Sequence, residues 1–385
     1  MTFDDVALVP QYNNIDSRLE PELDSWITKN TKIKVPILAA NMDTVIGDVL
    51  ADSLIEHGSY PIFHRFCSLE KQIEWCKKYG ELCYVSCGMN DIDKLKELLQ
   101  TDVRGVVIDI AHGHSLRMIN LIREIKSLFP NKDVIAGNVC TPMAYHDLVS
   151  AGADAVKVGI GPGAACTTRV VTGFGVPQFT AIYDIAQYAH KLKVPIIADG
   201  GIRNSRDVSL AIAAGASTVM IGNLFAKTLE SASDKRLEIY SDVNFTSRPF
   251  QTFEFNLNKM GDKDKVIEIM NDGKVYNGIL NSGLKKYISN NSIPHKIRSF
   301  YRGQASSHFQ NEYYGSMKKG TVAEGQHFET ECSGSMYDLM NDLMGGLRSA
   351  LTYGGARNIK EFQRKAEFVE VSTNYGAESN IRSNQ

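Results

Sequence analysis

The stretch VPIIADGGIRNSRDVSLAIAAGASTVMIGN, residues 194–223, decides the fold. It holds two short apolar runs, VPIIADGG (194–201) and ASTVMIGN (216–223), each ending in glycine and polar residues. Between them, SRDVSLAIAAG (205–215) repeats its apolar residues at helical spacing and closes on a glycine, a frequent helix stop. Apolar runs that do not alternate with polar residues suit strands buried on both faces, as in a parallel sheet. The unit therefore reads strand, helix, strand.

The same rhythm fills the sequence upstream. VPILAANMD (35–43), SYPIFHRF (59–66), LCYVSCG (82–88), VRGVVIDIAHG (103–113), DVIAGNV (133–139) and ADAVKVGIG (153–161) are six further runs of this kind. DKLKELLQ (93–100), SLRMINLIREIKSLF (115–129) and PMAYHDLVSAG (142–152) are helical in period. Eight strands alternating with helices predict an α/β fold, a (β/α)8 TIM barrel. A doubly wound open sheet is the alternative, and the count of eight favours closure.

Composition bounds the function. The chain has 385 residues, 43% hydrophobic and 22% charged, with a formal net charge of −2. That length suits one large domain or two ordinary ones. The charge balance gives no reason to expect nucleic acid as a partner. No apolar run is long enough for a membrane span, and the first residues, MTFDDVALVP, predict no signal peptide. The seven cysteines are odd in number and form no CxxC, which suits free thiols in a reducing, cytoplasmic setting.

In a barrel the chemistry sits where strands end. Those ends supply Asn41 and Asp43, His64 and Arg65, Ser86 and Gly88, Asp109 and His112, and Asn138. The sixth opens into GIGPGAACTTR (159–169), the seventh gives Asp199, Gly200 and Gly201, and the eighth gives Gly222 and Asn223. The last two sets occupy the usual phosphate position, where backbone N–H groups in glycine turns can approach phosphate oxygens. Cys166 stands at the tip of a glycine-rich loop and is followed by two threonines. A thiolate is the attacking species of cysteine, and a loop of exposed N–H groups favours it.

After Asn223 the rhythm stops. The reading divides the chain into the main barrel (1–227), a polar insertion of hairpin and helix (228–300), a flap with helical completion of the barrel (301–372) and a polar tail (373–385). Residues 302–326 are rich in Gly, Ser and Tyr and are expected to form a mobile lid. Residues 335–355 read as a helical pattern broken by paired glycines.

GIGPGAACTTR, ADGGIR (198–203), YRGQAS (301–306), AEGQ (323–326) and GGLRSALTYGGA (345–356) occur in this order. Together they resemble the IMP dehydrogenase / GMP reductase family of (β/α)8 barrels, over about 1–227 and 298–372. The resemblance implies an oxidoreductase in which Cys166 attacks C2 of a purine nucleotide. It points to the reductase branch: no Arg-Tyr dipeptide occurs in 302–326, no CBS pair is inserted near residue 90, and AANMDTV, CTTR and TYGGA are reductase forms. The implied reaction turns GMP and NADPH into IMP, ammonia and NADP+. Thr168 and Glu324 are similar to a proton relay for the leaving ammonia. By the same resemblance Asp199 takes the ribose, while Gly200, Gly201, Gly222 and Asn223 take the phosphate, and Gly303, Gln304 and Ala305 meet the base. Ser17, Arg18, Arg65, Asp109, Ile110, Ala111, Ser349, Ala350, Leu351 and Thr352 match cofactor positions. Carbonyls of Gly161, Gly163 and Cys166, with Arg169 beside them, resemble a potassium loop. A homotetramer is also implied. Three departures stand out, namely Ala164 for a serine, Gln304 for a methionine and Thr321 for an arginine. They leave open the cofactor preference and a modified or deoxy purine nucleotide. An IMP dehydrogenase lacking CBS domains, a flavin-dependent barrel and a non-catalytic nucleotide-binding barrel are the competing readings.

Overall fold

The computed structural model describes residues 1–240, 244, 248, 249, 251–259, 295–316, 320, 322–372 and 375. Eight parallel strands form the barrel: β1 (Ile37–Ala39), β2 (Ile62–Phe63), β3 (Tyr84–Cys87), β4 (Gly105–Asp109), β5 (Asp133–Val139), β6 (Ala155–Val158), β7 (Ile196–Asp199) and β8 (Thr218–Ile221). Each pairs with its sequence neighbour, and β8 returns to β1, so only the β1–β2 seam lacks a ladder among the described residues. The fold is the (β/α)8 TIM barrel that the strand rhythm predicts. Helices α1 (Asp48–Glu56), α2 (Leu69–Tyr79), α3 (Ile92–Leu99), α4 (Leu116–Leu128), α5 (Pro142–Ala151), α6 (Gln178–Leu192) and α7 (Ser205–Ala213) surround it.

The unbroken apolar runs have a direct cause. Successive side chains on a strand point to opposite faces. On β4, Val106 and Ile108 pack outward under the helices, while Val107 points into the barrel. The inner layer is Leu38, Ile62, Tyr84, Val107, Ile135, Ala155, Ile197 and Met220, one residue per strand. Both faces are buried, so neither alternates with polar residues.

The N-terminal mouth is closed by a hairpin, Ser25–Thr28 with Thr31–Ile33, whose Ile27 and Ile33 join the inner layer. Beneath it lies Asp133, 2% exposed. Its carboxylate accepts from Thr28 Oγ1 (2.7 Å), Thr31 Oγ1 (2.8 Å), Tyr84 Oη (2.9 Å) and Asn30 Nδ2 (2.7 Å). A buried charge is tolerable when so many donors replace its water.

Beyond β8 an antiparallel sheet is built from β9 (Lys235–Ile239), β10 (Gln251–Phe255), β11 (His295–Arg302) and β12 (His327–Glu331), in the order β10-β9-β11-β12. The expected division at 300/301 falls inside β11, so insertion and flap share one sheet. The helix expected in the insertion lies outside the described residues, as does most of 240–250. Within the flap, Ser307–Tyr314 is helical, and its Phe309 and Tyr313 pack on Phe66. The paired glycines do not break the last long helix: α8 runs without interruption from Met336 to Tyr353. Gly346 is there for contact, since a Cβ would lie 2.2 Å from that of Ser205 at the start of α7. The strand Val6–Leu8 pairs with Phe368–Glu370, and α9 (Ile359–Lys365) lies near the hairpin mouth.

Candidate active site

Two residues beyond the inner layer, the same strand face delivers His64, Ser86, Asp109, Lys157, Asp199 and Gly222 to the C-terminal mouth. Strand periodicity alone assembles this ring. At its centre Lys157, 3% exposed, places Nζ 2.8 Å from the Asp109 carboxylate and 2.5 Å from that of Asp199. Asn138 Nδ2 donates to the same Asp199 oxygen at 2.9 Å. Burial alone would raise the Asp109 pKa, but the Lys157 ammonium outweighs it and the carboxyl is held low. Burial likewise works against the Lys157 charge, and the two carboxylates reverse it and push the pKa up. His64 is driven down to about 4 by burial, so it is neutral, and its Nδ1 accepts from the Phe66 N–H at 3.2 Å.

The loop after β6 turns back on itself, with the Cys166 N–H donating to the Gly163 carbonyl at 3.0 Å. Cys166 Sγ lies 3.1 Å from Thr168 Oγ1. A flap segment runs antiparallel beside this loop: Gln326 N–H donates to Ala165 O (2.9 Å) and Thr167 N–H to Glu324 O (2.9 Å), with Cys166 opposite Gly325. A third segment closes the assembly. Glu324 N–H donates to Ala305 O (3.0 Å) and Gly303 N–H to Gln326 O (2.8 Å). Cys166, Thr168 and Glu324 come from two distant stretches and are brought together by these four backbone bonds. The other six thiols are all pushed up by burial, Cys67 to about 11, which keeps them protonated.

Around the thiol the other expected groups fall as follows. Gly200 packs on Pro162 and Gly163, which brings the loops after β6 and β7 together. Asn223 opens a helical turn, Asn223–Ala226, and its buried Oδ1 has no partner among the described residues. Gly222 faces the buried Tyr301, whose Oη would stand 2.6 Å from a Cβ at 222. Gln304 Nε2 donates to the Asn41 carbonyl at 2.8 Å, and Asn41 Nδ2 to Ser86 Oγ at 2.8 Å. Ala305 and Gly303 are held by the backbone bonds above.

The expected cofactor residues divide into two groups. Arg65 lies beside the ring, its guanidinium 4.4 Å from the centre of the Phe66 ring and its Nε buried with no partner among the described residues. Ile110 and Ala111 follow Asp109 at the rim, where Ile110 N–H donates to Gly137 O at 3.1 Å. Ser17 and Arg18 instead sit near the C-terminal end of α8, with Arg18 6.0 Å from the Tyr353 ring. Ser349, Ala350, Leu351 and Thr352 belong to that helix; Leu351 is fully buried and Thr352 Oγ1 donates to Arg348 O at 3.0 Å. No hydrogen bond, ion pair or ring contact joins this second group to the Cys166 loop among the described residues. Arg169 packs on Gly161 and donates to Ile160 O (3.2 Å) and Val176 O (2.6 Å). Thr321 lies outside the described residues.

One residue at the site, Lys157, escaped the sequence reading, and two more, Tyr301 and Arg302, were noted only as part of a motif. Lys157 is the lone charge within β6, Ala155–Val158, and that was the available signal. Tyr301 and Arg302 lie in the YRG motif. Arg302 Nε donates to Asp43 at 3.0 Å and pairs with Glu312 on the flap helix; burial nevertheless raises the Asp43 carboxyl.

The family model described as the IMP dehydrogenase / GMP reductase domain matches residues 1–279 and 273–382. The chain belongs to this family. It is 35% identical to an inosine-5'-monophosphate dehydrogenase of Borreliella burgdorferi, over 97% of this chain and 94% of that protein. It is 32% identical to the same enzyme of Cryptosporidium parvum, over 99% and 94%. It is 30% identical to GMP reductase 1 of Homo sapiens, over 97% and 95%. Family members named for both activities thus stand at similar distance. Membership makes the chain an oxidoreductase of purine metabolism that binds purine nucleotides and uses a nicotinamide cofactor. No helix among the described residues is long and apolar enough to cross a membrane.

Proposed function

We propose that the chain is a GMP reductase: GMP, NADPH and two protons give IMP, ammonium and NADP+. The observation that carries this reading is the approach of Glu324 and Thr168 to Cys166 through paired backbone, together with the lack of an Arg-Tyr dipeptide in 302–326. A dehydrogenase must activate water against its covalent intermediate. A reductase needs a proton for a departing amine, and a carboxyl and a hydroxyl on segments paired beside the thiol suit that work.

In this mechanism the Cys166 thiolate forms a bond to C2 of GMP. Thr168 and Glu324 pass a proton to the 2-amino group, and the C2–N bond breaks to release ammonia. NADPH, when bound, supplies hydride to C2. The S–C2 bond then breaks and the thiolate is regenerated. Lys157 fixes Asp199 toward the ribose and Asp109 toward the cofactor. Gly200, Gly201, Gly222 and the Asn223 turn offer N–H groups to the phosphate, while Gly303, Gln304 and Ala305 face the base. Arg65, with its unpartnered Nε, and Asp109, Ile110 and Ala111 would hold the nicotinamide end. Ser17, Arg18 and Ser349–Thr352 form a separate patch for the remainder. A potassium ion would take the carbonyls of Gly161, Gly163 and Cys166, each of which keeps a lone pair unused by the described residues. It would hold the loop in shape, next to the positive charge of Arg169. A cytoplasmic homotetramer completes the reading.

The relatives named IMP dehydrogenase support a second reading, IMP with NAD+. Near-ultraviolet absorbance of the reduced nicotinamide separates the two. GMP with NADPH should lose absorbance and release ammonia; a gain with IMP and NAD+, and none of that loss, would replace this proposal by the second.

A further inference from the structure

One sizeable cavity of the described residues lies away from the active site. It has a volume of about 990 Å³ and lies at the opposite mouth, where the residues before β7 and β8, Val194–Ile196 and Ser217, meet the hairpin, the end of α6 and α9. Ligand pockets commonly run from about 300 to 1,000 Å³, so this space takes a whole small molecule.

Its walls are charged with one sign in excess. Lys32, Lys193 and Lys360 line it with no carboxylate partner among the described residues, and Arg364, which also feels Glu361, lines it too, against Glu22 and Asp24. A fifth cation, Lys29, is neutralised by Asp154 at 3.0 Å. This surplus sits on a chain whose net charge is −2, so it is a local concentration and not a general basic surface. Lys360 and Arg364 are one helical turn apart on α9, so they project from one face and can reach one anion together.

Two further features point to a ligand. Lys193 ends α6 at φ 56°, and every other left-handed residue described is glycine. A lysine where glycine is sterically cheaper suggests that its side chain serves a purpose there. Trp26 is the second feature. It stands opposite Lys32 on the hairpin, on the face turned away from the buried Ile27, and the Lys32 Nζ lies 5.3 Å from the ring centre. An indole wall beside several cations suits a planar ring that carries phosphates.

We propose that this cavity is a second binding site, for a nucleoside polyphosphate, separate from the catalytic mouth. The phosphates sit among Lys193, Lys360 and Arg364, and the base lies toward Trp26 and Lys32. The site does not depend on which reaction the catalytic mouth performs.

The test is calorimetry on the full chain, saturated with GMP, with ATP and inorganic tripolyphosphate as probes. ATP is expected to bind once per chain and more tightly than tripolyphosphate. The double variant Lys360→Glu/Arg364→Glu should weaken both probes by about tenfold or more. Trp26→Ala should weaken ATP several-fold and leave tripolyphosphate unchanged. Basal turnover without ATP should be the same in all three proteins, because none of these residues lies at the catalytic mouth. Lys193→Glu, a separate exposed change, guards against a folding defect in the double variant and should weaken both probes too. ATP binding that survives both sets of charge reversals, or no binding of either probe at millimolar concentration, overturns the proposal. Equal affinity for the two probes in the wild type overturns its nucleoside part.

Discussion

Asp133 at one mouth of the barrel and the Asp109/Asp199 pair at the other are held in different ways. At the C-terminal mouth one lysine is shared between two carboxylates, Asp109 and Asp199, each within 2.8 Å. At the N-terminal mouth the buried Asp154 is paired with Lys29 and Lys126, while its neighbour Asp133 is satisfied by two threonines, a tyrosine and an asparagine, with no ion pair among the described residues. Neutral donors fix a charge in place without a counter-charge. A charge balanced by opposite charges is rebalanced when a ligand's charge arrives. Asp109 and Asp199 face the mouth that holds Cys166, whereas Asp133 lies beneath the hairpin that closes the barrel at the other end.

Four kinds of substitution press on that contrast. The strongest acts on the catalytic mouth alone. Cys166→Ser should lower turnover by at least about 10³-fold, because serine supplies no thiolate at neutral pH, with the melting temperature and GMP binding retained. Near-normal turnover would remove the covalent step. Next is Lys157→Met, which leaves two buried carboxylates facing each other. It should cost about 3–5 kcal/mol of stability in denaturant unfolding and lower turnover of the remaining folded protein. Its counterpart at the other mouth, Asp133→Ala, strands several donors and should cost about 2–4 kcal/mol, while kcat per folded molecule stays unchanged. If Asp133→Ala lowers kcat per folded molecule, the division between the mouths fails.

A smaller effect sharpens the reading of the flap. Thr168→Ala and Glu324→Gln should each slow turnover by about 10²-fold with little change in GMP affinity, and the double variant should be hardly worse than either. Additive losses would show two independent roles.

The smallest concerns a third way of burying charge, in the sheet beyond β8. Lys235 is fully buried and donates to Ser231 and Ser233, and burial pushes its pKa down to about 8. The folded lysine releases its proton below the pH at which the unfolded lysine does. Between pH 8 and 9.5 the unfolded chain therefore holds more protons, and the Lys235 contribution to stability rises with pH, by roughly 2 kcal/mol. The other buried thiols act in the opposite direction but are common to both proteins, and Cys332, which feels the Lys235 charge, is changed to alanine in each. The measurement is thus the stability of Cys332→Ala minus that of Cys332→Ala/Lys235→Met, which should climb across this range; a flat difference would contradict the depressed pKa.

The barrel was legible because its signal is repeated eight times and each run is buried on both faces. Tyr84 and Val107 inside, Val85 and Val106 outside, leave no polar phase to confuse the pattern. Helix ends were legible where local chemistry decides them, as at Gly152 after α5, which takes the left-handed conformation. What failed was what depends on a distant partner. The glycines of 335–355 read as a break because propensity disfavours them, and only Ser205 explains why Gly346 sits inside a continuous helix. Lys157 was passed over because a lysine in a strand reads as surface until Asp109 and Asp199 are placed around it. β11 spans residues 300 and 301, and its pairing with β9 and β12 is invisible in the strand's own residues.

Gly222 and Tyr301 carry a consequence for how this protein can change. A methyl group at 222 would meet the tyrosine hydroxyl, and that hydroxyl is buried and has Met42 Sδ as its neighbour at 3.5 Å. The two positions are therefore epistatic. Alanine at 222 is harmful beside tyrosine and is expected to be tolerated beside phenylalanine, so a lineage can reach the pair by losing the hydroxyl first but not in the reverse order.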